Sequence, residues 1–221
     1  MDESRTDQLS AVAAISDPLR RALFEFVSRS ADAVSREDAA RATGMARSTA
    51  AFHLDRLVDE GVLATEFKRL SGKSGPGAGR PSKLYRRAGG DITVSFPVRR
   101  YDLAGDMLAA AVAESDRTGE PVRAVLATIS AATGREIGAS AGSLDAALES
   151  CGYEPRDDGA GGIVLANCPF HKLATNHTDV ICHANVALLQ GVAEGASETE
   201  RTVEFVEPAN GCCCVRVTAA S

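Results

Sequence analysis

The chain has 221 residues, 44% hydrophobic, 24% charged and 5% aromatic, with 24 Lys+Arg against 30 Asp+Glu for a formal charge of −6. That length buries a real core in one or two domains, which excludes a mini-protein dependent on disulfides or on a metal merely to fold. No stretch approaches the ~18 consecutive apolar residues of a membrane span, and the acidic, polar start Met1-Asp2-Glu3-Ser4-Arg5 is unlike a secretory leader, so a cytoplasmic protein is expected.

In chain order, Asp17 is placed to cap a helix whose first position is Pro18, with Leu19, Leu23, Phe26 and Val27 at helical spacing, so residues 15–27 are predicted as one amphipathic helix. Ser35 caps a short helix over 36–42 that ends before Gly44. A longer helix over 46–60 puts Ala50, Leu54, Leu57 and Val58 on one face and stops at Gly61. Two helices joined by the turn Thr43-Gly44-Met45 make a helix-turn-helix layout. Alternating strands over 64–70 and 82–86 then flank a Gly/Pro/Ser-rich loop over 71–81, a β-hairpin of the wing kind.

Charge separates this half from the rest. Residues 1–90 hold 15 Lys+Arg against 12 Asp+Glu, net +3, and residues 91–221 hold 9 against 18, net −9. Residues 68–87 carry seven basic side chains and no acidic one, a run suited to a phosphate backbone. Double-stranded DNA is therefore the first partner to expect, and no membrane is.

Ala88-Gly89-Gly90 marks a boundary between domains over 1–88 and 89–221. Beyond it, a strand is predicted over 92–96, helices over 101–114, 122–137 and 144–151, and strands over 153–156 and 163–167. A helix over 178–193 follows, then strands over 202–206 and 214–218 joined through Pro208-Ala209-Asn210-Gly211. The fold class is α+β: an N-terminal winged helix-turn-helix domain and a C-terminal α+β sensor domain with an antiparallel sheet. The helix over 101–114 is the candidate dimer helix.

The stretch Met45-Ala-Arg-Ser-Thr-Ala-Ala-Phe-His-Leu-Asp-Arg-Leu-Val-Asp-Glu-Gly-Val-Leu63 resembles the recognition helix of ArsR-like winged-helix regulators, which reads Ser/Thr-x-x-x-His-Leu-x-x-Leu-x-x-x-Gly-hydrophobic-hydrophobic. Arg80-Pro81-Ser82-Lys83 resembles the Gly-Arg-Pro signature of their wing. Short polar side chains at the start of such a helix approach base edges and phosphates, while Leu54 and Leu57 lock it to the bundle. The expected DNA contacts are Arg47, Ser48, Thr49, His53 and Arg56 on the helix and Arg80 and Lys83 on the wing. His53 reads equally as an ordinary polar surface histidine, and Phe52 is expected to pack under the wing.

Six cysteines, three of them adjacent, are too few and too crowded for a disulfide scaffold. In a reducing cytoplasm they point to metal or redox chemistry. They fall in Asn167-Cys-Pro-Phe-His171, His177-Thr-Asp-Val-Ile-Cys182 and Gly211-Cys-Cys-Cys-Val-Arg-Val217, with Cys151 apart as a structural residue. The spacing lacks the paired Cys-x2-Cys knuckles of a zinc ribbon. Cys168 is expected at a strand end, Cys182 in a helix first turn whose dipole lowers its thiol pKa, and the triplet at the start of the last strand.

This arrangement resembles the SufR type of ArsR-like regulator, which carries an iron–sulfur cluster in its C-terminal domain and controls cluster-assembly genes. The resemblance implies a 4Fe-4S or 2Fe-2S cluster on Cys168, Cys182 and one of Cys212, Cys213 or Cys214. Cys212 and Cys213 are preferred, since Cys214 is expected within the strand, where neighbouring side chains alternate. A zinc site completed by His171, His177 or His183 is the alternative. Nothing resembles an oxyanion hole or substrate cleft, so the expectation is a homodimeric repressor on a palindromic operator and not an enzyme.

Overall fold

The structure, a computed structural model, describes residues 3–69, 81–90, 92–159, 161–207 and 213–219. The chain divides into two units, Met1–Val94 and Ser95–Ser221. Among the described residues no helix is long and apolar enough to cross a membrane.

In the first unit α1 (Glu3–Ser16) is followed directly by α2 (Pro18–Arg29). Asp17 sets the boundary: its carboxylate accepts from the backbone N–H of Leu19 and Arg20 at 3.0 and 2.9 Å, and Pro18 fills the first helical position. The single helix expected over 15–27 is thereby corrected, because Ile15 and Ser16 finish a separate helix. That helix escapes a pattern reading: its start is polar, and its buried residues, Ala11 and Ala14, are small.

After β1 (Val34–Ser35), Ser35 caps α3 (Arg36–Thr43), accepting from the Asp38 N–H at 3.1 Å and donating to its carboxylate at 2.7 Å. Gly44, at φ 70°, closes α3 in a left-handed conformation and turns the chain into α4 (Arg47–Asp59). The hairpin strands β2 (Leu63–Lys68) and β3 (Ser82–Arg87) pair antiparallel from Leu63↔Arg87 to Lys68↔Ser82, and β1 adds to the far side of β3. A two-residue strand has no alternation to read, so β1 is absent from the sequence expectation. Leu23, Leu54, Leu57, Val62 and Tyr85 bury between the helices and this sheet. Residues 70–80, with Arg80 and the loop between the strands, lie outside the described residues.

The second unit runs α5 (Tyr101–Thr118), α6 (Val122–Ala141), α7 (Leu144–Ser150), β4 (Pro155–Asp157), β5 (Ile163–Leu165), α8 (His171–Asn176), α9 (Thr178–Gly195), β6 (Arg201–Phe205) and β7 (Val215–Ala219). Its sheet is antiparallel in the order β4-β5-β7-β6. The strand expected over 92–96 does not form: residues 92–95 are irregular and Phe96 is exposed. Strand propensity needs a neighbouring edge to pair with, and this run has none among the described strands.

α6 and α9 meet backbone to backbone. A Cβ on Gly134 would stand 2.0 Å from the Leu188 carbonyl oxygen, and one on Gly138 2.1 Å from that of Val192. Reciprocally, Cβ atoms on Gly191 and Gly195 would each lie 2.1 Å from a carbonyl oxygen, of Ala131 and Arg135. Each helix thus presents two glycines four residues apart to the other, close enough for Cα–H···O contacts that any side chain would abolish. Gly191→Ala should cost about 1–3 kcal/mol or more, because neither backbone can yield. Gly105→Ala on α5, whose added methyl meets nothing within 4 Å, should instead stabilise by about 0.5–1 kcal/mol. Urea unfolding of the two variants checks both signs.

Candidate functional site

Two sites take shape, one in each unit. The first is the outer face of α4. Ala50, Leu54 and Leu57 bury its inner face, leaving Arg47, Ser48, Phe52 and Arg56 exposed and Thr49 and His53 half-buried. Ala46, at the N-cap, makes no side-chain hydrogen bond, so the N–H groups of the first turn stay uncapped, a disposition that favours an anion.

The expected contact cations that the structure describes are paired with carboxylates within the unit: Arg47 with Glu37, Arg56 with Glu60, and Lys83 with Asp55 at 2.7 Å. The Tyr85 hydroxyl donates to the same Asp55 oxygen at 2.7 Å, and the Lys83 ammonium sits 5.4 Å from the Tyr85 ring centre. Burial pushes the Asp55 carboxyl up, but its bonds from Lys83 and Tyr85 outweigh that and hold it below the usual range. Burial, reinforced by Asp55, raises the Tyr85 phenol. Asp55 thereby fastens β3 of the hairpin to α4.

Phe52 is corrected from its expected place under the wing: it is 68% exposed, and its ring meets His53 edge-on at 5.3 Å. The His53 Nδ1 is buried without a hydrogen-bond partner among the described residues.

The second site is a run of thiols. Cys168 lies in the turn after β5 rather than at the strand end, since β5 stops at Leu165. Buried Asn167 holds that turn, donating to the carbonyls of Val98 and Gly152 at 3.1 and 2.7 Å. Its oxygen accepts from Arg99 at 2.5 Å, and the same guanidinium reaches the Cys168 carbonyl at 2.8 Å. Cys182 sits past the first turn of α9, and Cys213 and Cys214 precede β7, which begins at Val215.

All four thiols are free and buried. The Cys213 thiol neighbours those of Cys168 and Cys214, and the Cys214 thiol neighbours that of Cys182 and donates to the Cys182 carbonyl at 4.0 Å. Asn185, one turn after Cys182 and 1% exposed, donates to Cys213 Sγ at 3.3 Å and Cys214 Sγ at 3.8 Å, while its oxygen accepts from the buried Tyr153 hydroxyl.

The neighbouring Cys213 thiol lowers the thiol pKa of Cys168 and of Cys214, the latter to about 6, and those two neighbours raise that of Cys213. Burial raises Cys182, contrary to the expected helix-dipole effect, which fades beyond the first turn while desolvation persists. Cys151 is also buried and raised by burial, outside this run. Cys212 lies outside the described residues. His171, His177 and His183 are exposed, and His183 stacks on Phe205 at 5.4 Å.

Among the described residues no three of His, Cys, Asp and Glu converge as a site for a single metal ion. The sequence ranks Cys214 below Cys212 and Cys213, and it singles out neither Asn185 nor Tyr153. For Asn185 there was a signal, an amide within the apolar run Ile181-Cys-His-Ala-Asn-Val-Ala-Leu-Leu189 one turn after a candidate ligand.

Residues 15–66 match a family described as a helix-turn-helix domain. No curated protein and no solved structure matches the chain. The match spans α2, α3 and α4 and reaches into β2, the elements whose outer face presents Arg47, Ser48 and Arg56. The chain thus carries a helix-turn-helix domain over residues 15–66, which supports a DNA-binding transcriptional regulator.

Proposed function

We propose that the protein is a homodimeric repressor that binds a palindromic site in double-stranded DNA and senses iron–sulfur or redox status through a cysteine-ligated iron–sulfur cluster in its second unit. The observation that carries the sensing half is the group of four buried thiols, Cys168, Cys213, Cys214 and Cys182, drawn from three separate segments into one core. This donor set fits the group: it is all thiol, soft, and shielded from water. Cys168, Cys182 and one of Cys213 or Cys214 would hold the cluster, which supplies a redox-active iron centre when bound. Asn185 donates to both sulfurs of the Cys213–Cys214 pair and is itself oriented by Tyr153, so it stabilises negative charge on them.

The zinc alternative has less support. A zinc ion needs four donors around one point, whereas among the described residues no three such donors converge on one and the histidines are exposed. Dimerisation is supported by the outward side of α5, where Tyr101, Ala109 and Val112 are exposed on a helix otherwise packed into the unit. One recognition helix reads too few base pairs to select a genomic site, and a two-fold axis doubles the reading.

After anaerobic reconstitution, Cys168→Ser, Cys182→Ser and one of Cys213→Ser or Cys214→Ser should each lose most iron, sulfide and visible absorbance, while Cys151→Ser keeps them. Full iron and sulfide in both Cys168→Ser and Cys182→Ser would reject the cluster. On the DNA side, Lys83→Ala should weaken binding to every duplex and reduce the salt slope by about one for each phosphate that the ammonium neutralises. Asp55→Asn frees the same ammonium and should tighten binding while steepening the slope, as fluorescence anisotropy across a salt series would record. Sedimentation should give a dimer that Val112→Glu dissociates, and a monomeric parent chain would contradict the symmetry.

A further inference from the structure

We infer that Phe52 is a specificity residue that reads the methyl group of a thymine in the major groove, an inference that rests on the DNA-binding half of the proposed function. A single exposed apolar side chain needs no explanation in itself, but the position of this one does. Phe52 is 68% exposed on α4, on the side opposite Leu54 and Leu57, four residues after Ser48 and four before Arg56. The three side chains therefore form one stripe along the outer face of the helix, with the aromatic ring at its centre and polar, hydrogen-bonding groups at either end.

The surroundings of this stripe select duplex DNA as its occupant. Arg47 beside the stripe and Arg56 at its end stand in surface ion pairs with Glu37 and Glu60 that a phosphate can displace, the first turn of α4 lies uncapped, and the nearby Asp55 carboxylate is occupied by Lys83 and Tyr85. The ring is also held in place, packed edge-on against His53 with 68° between the planes, so little freedom is lost when it meets a groove. Among the base edges of the major groove the thymine C5-methyl is the apolar feature; the other groups are donors and acceptors that a phenylalanine cannot satisfy. A ring at the centre of the reading face thus rewards an A·T pair and leaves the groups of a G·C pair unmatched.

The test begins by selecting preferred duplexes from a random pool with the full chain, then replaces each selected thymine in turn by deoxyuridine, which removes only the methyl. One thymine per half-site should show a penalty of about fourfold in the parent protein, the fold-change equivalent of one buried methyl group. Phe52→Ala should bind the unmodified duplex more weakly and show no further weakening with deoxyuridine, and Phe52→Leu should retain part of the discrimination. Because the side chain is exposed, thermal unfolding of both variants should match the parent.

Phe67→Ala, which removes an equally exposed ring from β2, should leave the methyl dependence intact. A parent protein indifferent to every deoxyuridine, or a penalty that survives in Phe52→Ala, overturns the assignment while leaving DNA binding standing. Failure of the parent chain to select any duplex overturns the DNA-binding reading and this assignment together.

Discussion

The second unit depends on the contact between α6 and α9, where four glycines let two backbones touch. α9 carries Cys182 and Asn185 on its buried side and is held against α6 through Gly191 and Gly195 farther along. Its axis is therefore defined by backbone atoms rather than by adjustable side chains. A helix fixed in this way gives the other sulfur-bearing segments a rigid reference. Cys213 is tied to β5 through the Leu165 carbonyl and meets Asn185 of α9, and Cys168, anchored by Asn167 and Arg99, lies in the same core as Cys182.

Polar groups in that region are satisfied by one another. Asn185 has its oxygen on Tyr153 and its amide on two sulfurs, and the thiols complete the chain. Burying an amide and four thiols in an apolar core is unfavourable unless each finds a partner. Replacing them with leucine-sized residues would be the simpler route to a stable core. The retention of a connected set is what a binding centre requires and what mere packing does not.

In the first unit, electrostatics works through competition. Arg47, Arg56 and Lys83 hold internal carboxylates, so a phosphate must displace or outweigh those partners. Exposed ion pairs of this kind are individually weak, which keeps the exchange cheap. The helix-turn-helix was legible because caps and periods announce it: Asp17, Ser35 and Gly44 do what their positions predict. The α4 core residues Leu54 and Leu57 do as well. In contrast, α1 and β1 lack a readable period, and the run over 92–96 has the propensity of a strand without an edge to join. Cys168 and Cys182 were readable from local context, but the roles of Cys214 and Asn185 depend on pairings 32 and 28 residues apart in sequence, which no local pattern encodes. Phe52 departs from its expected place because its face of α4 is decided by the packing of Leu54 and Leu57, which leaves its ring exposed.

In the proposed regulator the state of the thiol centre sets the affinity for DNA. The most direct measurement compares anaerobic binding of one selected duplex by the reconstituted protein and by the same preparation with its thiols free, at matched salt. The two affinities should differ by at least about fivefold, the lower end of ordinary allosteric coupling. Equal affinities in a protein shown to hold iron and sulfide would contradict the account.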